Sequence, residues 1–242
     1  MIKAIIFDLD GTLVQTEIVK AHSYAKAIAS LSNNEVTENE VIQNFKNYVG
    51  LSRIEVAKNL VNDYWRQLRS LSDSGDVVSN LLIEKRLAIY NTMLEDPTVL
   101  PKYCCTMTMG FLRTVKQDNF LTGLATMSHC AQVEKVLAIT NIRDQFKYVI
   151  TRDEIDKAKP NPEIYIRMKN KLNVDVDDCI VIEDSPAGIK AALSAKMNVF
   201  AITNSITRES VHKSKLLDER FIIDNPAELK SRVYEFINTR NP

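Results

Sequence analysis

Glycine is scarce in this chain, at six residues among 242. Because glycine tolerates sharp turns and close backbone approaches, each glycine is expected where the backbone needs it. Three of the six, Gly11, Gly50 and Gly188, lie inside polar motifs that are described below. These motifs are therefore expected to be places where the backbone turns or packs closely beside functional side chains.

Net charge and long apolar runs are also missing. The 31 Lys and Arg residues balance the 31 Asp and Glu residues, so no overall field attracts nucleic acid or an anionic membrane. No apolar run approaches the ~18–20 residues of a membrane-spanning helix. The first run is broken by Asp8 and Asp10, and no small-residue cleavage site follows, so it does not resemble a signal peptide. We expect a cytoplasmic monomer with neither nucleic-acid nor membrane partners.

The four cysteines show neither a CxxC pair nor the spacing of zinc ligands. Cys104 and Cys105 are adjacent, which is an awkward geometry for a disulfide between them. We therefore expect all four to be reduced, as in cytoplasmic proteins.

The hydrophobic pattern divides the chain into three parts. Apolar residues 2–7 predict a buried first strand, whereas residues 16–96 show helical periodicity, for example at Ala21, Ala25 and Ile28. Beyond this block short apolar strands alternate with helices, which is typical of a parallel sheet covered on both faces. We predict an α/β protein in which residues 1–15 and 97–242 form a Rossmann-like core domain, and residues 16–96 form an inserted all-helical cap domain.

Paired acids end the first predicted strand. Asp8 and Asp10 are two residues apart, so their side chains leave an extended strand on the same side. Gly11 follows and permits a sharp turn close to a bound group. This arrangement is a poor way to build a core, but it suits a cation and a nucleophile that are held together.

Further polar residues follow the later strands. Thr126 and Ser128 end the second predicted strand, and Lys159 lies in a proline-rich loop before a helix. Glu183 and Asp184 end the strand predicted at 179–183. Open parallel sheets bind ligands at the carboxyl ends of their strands. We therefore expect these residues and the paired acids to open on one face.

The residue types predict phosphoryl chemistry. Asp8, Glu183 and Asp184 offer hard oxygen ligands that suit Mg²⁺ beside a phosphate, and such a cation offsets repulsion between an anionic nucleophile and an anionic phosphate. Lys159 adds a fixed positive charge, and Thr126 adds a hydroxyl donor. One aspartate can attack phosphorus to form an aspartyl-phosphate, while a second moves protons.

The motifs resemble, in order and spacing, the four motifs of the haloacid dehalogenase superfamily. They are Asp8-x-Asp10-Gly11-Thr12, Thr126, Lys159-Pro160-x-Pro162 and Glu183-Asp184-Ser185-x-x-Gly188. The resemblance covers essentially the whole chain. The helical insert is similar to the cap of members close to β-phosphoglucomutase and the small sugar-phosphate phosphatases.

The resemblance implies a role for each core residue. Asp8 would be the nucleophile and a Mg²⁺ ligand, and Asp10 would be the general acid and base, with its backbone carbonyl on the metal. Thr126 and Lys159 would hold the transferring phosphoryl group. The Mg²⁺ site would be completed by Glu183 and Asp184.

The resemblance also implies a set of substrate contacts. Gly50-Leu51-Ser52-Arg53 resembles a substrate-facing cap loop in which the guanidinium group grips a distal phosphate or another polar group. We expect Gly50, Ser52 and Arg53 to bind substrate. Ser128 and His129 are expected to line the entrance.

Our main hypothesis is a Mg²⁺-dependent phosphatase that acts on a small phosphorylated metabolite, foremost a sugar phosphate. A phosphosugar mutase similar to β-phosphoglucomutase shares the same core groups and stays open as the alternative. A non-catalytic binding module with this fold is a remote alternative, because all the core groups are present. Gln15 and Ala158 stand where the family often has an acid and a glycine, which leaves the substrate open.

Overall fold

The computed structural model describes residues 1–48, 51–96 and 98–240. Within them, six parallel strands form one sheet in the order β3-β2-β1-β4-β5-β6. The strands are β1 (Ala4–Phe7), β2 (Leu121–Ala125), β3 (Tyr148–Ile150), β4 (Cys179–Glu183), β5 (Asn198–Ile202) and β6 (Ile222–Ile223). This topology confirms the predicted α/β class with a parallel sheet.

Strand β1 occupies the centre of the sheet, where both of its faces are buried. Its four residues are fully buried, as expected for a short apolar strand covered on both sides. In register, Phe7 lies beside Leu124 of β2 and Ile182 of β4. The residues that follow these three strands therefore emerge side by side at one edge of the sheet.

Residues Thr16–Tyr103 form a compact helical unit. Its helices are α1 (Thr16–Leu31), α2 (Glu38–Phe45), α3 (Arg53–Asp63), α4 (Trp65–Leu68) and α5 (Gly75–Glu95). Apolar stripes of α1, α2, α3 and α5 pack into one core that includes Tyr24, Ile28 and Leu60. Capping boxes fix the starts of α2 and α3, since Thr37 and Ser52 bond reciprocally with the glutamates three residues later.

The second compact unit consists of Met1–Gln15 and Cys104–Pro242 and contains the sheet. Its helices are α6 (Thr106–Gln117), α7 (Cys130–Thr140), α8 (Glu163–Leu172), α9 (Pro186–Ser194), α10 (Arg208–Ser214) and α11 (Leu229–Arg240). Helix α8 packs on β2 and β3, while α9 packs on β4 and β5. The opposite face of the sheet carries Phe7, whose ring lies 5.9 Å from that of Phe111 in α6.

The division between the units differs in one respect from the predicted one. The first boundary lies between Gln15 and Thr16, but the helical unit continues to Tyr103 rather than ending at residue 96. The extension arises because the 3-10 turn Leu100–Tyr103 packs against α1, with Leu100 fully buried. In the described part of the chain, no helix has both the length and the apolar character needed to cross a membrane.

Candidate active site

Three carboxylates gather where β1 and β4 end. Asp8 follows β1 directly, and its backbone N–H donates to the carbonyl of Ile182 at 3.0 Å, which continues the sheet by one residue. Glu183 is the last residue of β4, and Asp184 comes next. All three side chains are buried. Such a concentration of negative charge away from water needs cations or hydrogen-bond donors to persist.

Lys159 supplies the positive charge from the loop before α8. Its ammonium group donates to Oδ1 of Asp8 at 2.6 Å, to Oε1 of Glu183 at 2.7 Å and to the carbonyl of Ala125 at 3.0 Å. A lysine has three N–H donors, so all of them are used. Burial opposes the charge on Lys159, whose side chain is 4% exposed, but Asp8 and Glu183 outweigh that cost and raise the pKa of Lys159.

Glu183 receives hydrogen bonds on both oxygens. Oε1 accepts from Lys159 and from the hydroxyl of Tyr165 at 2.9 Å. Oε2 accepts from the backbone N–H groups of Asp184 and Ser185 and from the Ser185 hydroxyl. Burial alone would raise the pKa of Glu183, but Lys159 and these donors hold it below its usual value. A Cβ atom at Gly188 would lie 1.7 Å from Oε1, so this glycine makes room for the carboxylate.

Of the two carboxyl groups that Lys159 contacts, Asp8 is the less well stabilised in its ionised form. Burial raises its pKa to about 8; Lys159 opposes this shift, whereas Glu183 and Asp10 add to it. One lysine cannot neutralise two buried carboxylates, and Glu183 has the larger set of donors. A cation beside Asp8 would therefore favour the ionised carboxylate, which is the form that can attack phosphorus.

The turn after β1 brings the backbone against Asp184. Gly11 has a φ angle of 85°, and a Cβ atom there would lie 2.0 Å from Oδ2 of Asp184. A side chain at position 11 would therefore be strained by its backbone conformation and would also displace the carboxylate. The Asn204 amide donates to the same Oδ2 at 2.9 Å and to the Gly11 carbonyl at 3.4 Å, which ties the turn to β5.

The three carboxylates fit a divalent metal ion. Each offers an oxygen atom, and the ligand atoms of Asp8, Glu183 and Asp184 all lie within 4.8 Å of one another. An all-oxygen set is typical for Mg²⁺, which prefers carboxylates, phosphate oxygens and water. The raised pKa of Asp8 agrees with a missing positive charge, because Lys159 is the one cation that contacts this carboxyl group among the described residues.

Asp10 faces a different set of partners at the end of β2. Its Oδ2 accepts from the Thr126 hydroxyl at 3.1 Å and from the Ser128 hydroxyl at 2.6 Å. The backbone N–H of Ser128 in turn donates to the Thr126 hydroxyl oxygen at 3.0 Å. Asp8 and Asp10 are therefore unequal, since one is paired with a lysine and the other with two hydroxyl groups.

The other predicted substrate-binding residues have local partners within their own units. His129 is 47% exposed, and its Nδ1 pairs with Oδ1 of Asp153 at 2.6 Å, while Asp153 also accepts from the backbone N–H of Cys130. In the helical unit, Ser52 is the N-cap of α3, and Arg53 is its first residue, with a carbonyl that accepts from the Tyr24 hydroxyl. Gly50 lies outside the described residues.

A family model for haloacid dehalogenase-like hydrolases matches residues 5–202, a span that contains all the motifs above. The chain belongs to the haloacid dehalogenase-like hydrolase family. The family predicted from the four motifs is thus confirmed, and so is the prediction of a hydrolase.

Relatives in this family cover most of the chain. Hexitol phosphatase B of Escherichia coli strain K12 is 28% identical over 201 residues, 83% of this chain and 83% of that protein. A phosphorylated carbohydrates phosphatase of Thermotoga maritima is 25% identical over 206 residues, 84% of this chain and 87% of that protein. The crystal structure of β-phosphoglucomutase from Clostridium difficile superposes with a TM-score of 0.66 at 25% identity, covering 98% and 99% of the two chains.

Two residues of the candidate site were not predicted from the sequence. Tyr165 lies with Ile164, Met168 and Leu172 on the buried face of α8, where an aromatic residue is expected to serve only the core. Asn204 follows β5 outside every recognised motif. Its position just past the carboxyl end of a predicted parallel strand was the one signal that could have identified it.

Proposed function

We propose that this protein is a Mg²⁺-dependent phosphatase that hydrolyses a small sugar phosphate through an aspartyl-phosphate on Asp8. One observation carries the proposal: a buried carboxylate that needs positive charge lies against a lysine and two further carboxylates at the carboxyl edge of a parallel sheet. This combination can hold a metal ion, a phosphoryl group and a nucleophile at once.

The reaction divides into two displacements at phosphorus. In the first, a carboxylate oxygen of Asp8 attacks phosphorus, the bond to the sugar oxygen breaks, and Asp10 gives that oxygen a proton. In the second, water attacks the aspartyl-phosphate while its proton passes to Asp10. The bond from phosphorus to Asp8 then breaks, so inorganic phosphate leaves and both aspartates regain their starting states.

The other residues stabilise the transferring group. Lys159 neutralises charge on the phosphoryl oxygens, and the Thr126 hydroxyl turns from Asp10 to one of them. Mg²⁺ would be held by Asp8, Glu183, Asp184 and the backbone carbonyl of Asp10, and when bound it offsets repulsion between nucleophile and phosphate. Lys159 and the metal ion therefore share the task of making an anionic site accept an anionic substrate.

The substrate class is supported by the named relatives, since one acts on hexitol phosphates by its name and another on phosphorylated carbohydrates. We further propose that residues 16–96 act as a cap whose Gly50, Ser52 and Arg53 contact the substrate beyond its phosphate. Ser128 and His129 would line the entrance. A small phosphorylated metabolite is then the only partner required, and we expect a cytoplasmic monomer.

A mutase is the second candidate, because one crystal structure that matches the chain at 25% identity is a β-phosphoglucomutase. In that reaction the phosphoryl group on Asp8 returns to a sugar hydroxyl instead of to water. Incubation with β-glucose 1-phosphate and a trace of its 1,6-bisphosphate separates the two. Isomer conversion without free phosphate would replace the phosphatase proposal with the mutase.

A phosphate-release screen over sugar phosphates, polyol phosphates and nucleotides tests the proposal. We expect release from sugar or polyol phosphates with Mg²⁺, loss of release in a chelator and loss in Asp8→Asn. Asp156→Asn is the matched control, because Asp156 lies in the Lys159 loop with its side chain 90% exposed. Release that survives both the chelator and Asp8→Asn would contradict the proposal.

The cap assignment needs its own comparison. Arg53→Ala should reduce kcat/KM on substrates with a second anionic or polar group more than on the smallest substrates, because a guanidinium fork acts on the distal group. Lys58→Ala in the same helix is the control, since its ammonium pairs with exposed Asp76 at the surface. An equal loss on every substrate would count against Arg53 as a specificity residue.

A further inference from the structure

Tyr165 is a buried phenol that the proposed reaction does not yet use. The side chain is fully buried, and its hydroxyl donates to Oε1 of Glu183 at 2.9 Å. Its ring centroid lies 5.0 Å from Nζ of Lys159, within the range of a cation–π contact. One residue thus touches both members of the buried Lys159–Glu183 ion pair.

The packing of α8 would be served equally well by phenylalanine. Tyr165 shares a buried apolar cluster with Ile164 and Met168, where a hydroxyl group is costly unless it is hydrogen-bonded. The hydrogen bond to Oε1 of Glu183 meets that condition. The hydroxyl group is therefore the part of the residue that packing does not explain.

The N–H groups of Lys159 indicate at which stage of the reaction the Tyr165 hydroxyl would be needed. All three N–H groups are used, by Asp8, Ala125 and Glu183. A phosphoryl group on Asp8 can gain a hydrogen bond from Lys159 only if one of these bonds is released. The bond to Asp8 is the one that weakens, because the carboxylate loses its charge when it becomes an acyl phosphate.

We propose that Tyr165 is a positioning residue for phosphoryl transfer: it keeps Oε1 of Glu183 paired while Lys159 turns one N–H from Asp8 to the transferring group. This inference rests on the proposed phosphatase function. Without the hydroxyl, Lys159 becomes the remaining donor to Oε1 among the described residues. Because Oε1 of Glu183 has then lost one hydrogen bond, it attracts the ammonium group more strongly and holds it away from the phosphoryl oxygens.

The test is Tyr165→Phe, which keeps the ring and removes only the hydroxyl. Tyr148→Phe is the matched control, since Tyr148 packs partly buried against the same cluster and has Lys147 5.9 Å from its ring. The readouts are kcat, KM, and inhibition by orthovanadate and by inorganic phosphate. Orthovanadate adopts the five-coordinate geometry of the transition state, whereas inorganic phosphate is a tetrahedral product.

We expect Tyr165→Phe to lower kcat about tenfold and to weaken inhibition by orthovanadate about as much, as for the loss of one transition-state hydrogen bond. KM and inhibition by phosphate should stay within about twofold, and Tm should fall by no more than about 2–4 °C. The Tyr148→Phe protein should match the wild type in all four readouts.

Three outcomes would overturn the inference. The first is an unchanged kcat in Tyr165→Phe, and the second is an equal weakening of orthovanadate and phosphate. The third is loss of the folded protein, which would make Tyr165 a stability residue. None of these resembles failure of the proposed function, which would appear as a wild-type protein that releases no phosphate from any substrate.

Discussion

The ammonium nitrogen of Lys159 lies 2.6 Å from Oδ1 of Asp8, and both side chains are buried at the carboxyl edge of the sheet. The same nitrogen lies 2.7 Å from Oε1 of Glu183. A single cation therefore supports two buried carboxylates, and each of them depends on it. The consequences of this dependence can be measured both as stability and as activity.

Replacing Lys159 should destabilise the protein as well as inactivate it. In Lys159→Met, the buried Glu183 carboxylate loses its cation, whereas Asp8 already holds a proton near neutral pH in the metal-free protein. Breaking a buried ion pair in this way costs about 3–5 kcal/mol. The free energy of unfolding, measured by urea denaturation in a chelator near neutral pH, should fall by that amount. Lys157→Met is the control, because Lys157 is exposed in the same loop. Equal free energies of unfolding for the two variants would show that the buried site does not depend on Lys159 for its stability.

The stability of the metal-free protein should depend on pH through Asp8. Its pKa rises from 3.8 to about 8 in the folded state, so between these values the folded protein holds a proton that the unfolded chain releases. The contribution of Asp8 to stability therefore falls as pH rises across this window, by at most about 1.4 kcal/mol per pH unit. Asp8→Asn should remove this slope. The free energy of unfolding of both proteins is measured against pH by urea denaturation in a chelator. Parallel curves for the wild type and Asp8→Asn would contradict the raised pKa of Asp8.

Gly11 should be needed for both backbone conformation and the placement of Asp184. Gly11→Ala puts a Cβ atom 2.0 Å from Oδ2 of Asp184 at a φ of 85°, so we expect lower stability and at least about tenfold weaker activation by Mg²⁺. Gly110→Ala is a matched control, because no heavy atom lies within 4 Å of its added Cβ. Within α6 the alanine should be neutral or mildly stabilising. If both variants were activated by the same concentrations of Mg²⁺, the close approach of the backbone at position 11 to Asp184 would be contradicted.

Ser128 should affect the proton transfers made by Asp10. Ser128→Ala removes the 2.6 Å hydrogen bond from the Ser128 hydroxyl to Oδ2 of Asp10. The hydrogen bond from the Thr126 hydroxyl to the same oxygen stays. We expect kcat to fall about tenfold and the pH profile of kcat to shift, because the position and proton affinity of Asp10 both depend on its donors. Ser231→Ala on the surface of α11 is the control. A pH profile identical to that of the wild type would show that Ser128 does not act through Asp10.

The sheet and the core of the site were predictable because both depend on simple periodicity. Short apolar strands that alternate with helices specify a parallel sheet, and polar residues at strand ends then meet at one edge. Asp8, Lys159 and Glu183 were expected together on this argument, and the structure brings them within hydrogen-bonding distance. Their catalytic roles stay predictions.

Other features of the structure depend on interatomic distances, which sequence patterns do not predict. The hydroxyl of Tyr165 reaches Glu183 from a helix face whose pattern indicates only core packing. The use of all three N–H groups of Lys159 likewise follows from local geometry and not from residue type. The helical unit extends past residue 96 because the turn Leu100–Tyr103 packs on α1, although the prolines there break the helical pattern.

The most direct test of the proposed mechanism is whether phosphate passes through a covalent bond to Asp8. The enzyme is mixed with Mg²⁺ and its best sugar phosphate, quenched in acid within the first turnover, digested and sequenced by mass spectrometry. We predict one phosphoryl group on Asp8 in the wild type and none in Asp8→Asn. Rapid phosphate release with Asp8 unmodified at every quench time, or release that persists in Asp8→Asn, would contradict the proposed mechanism.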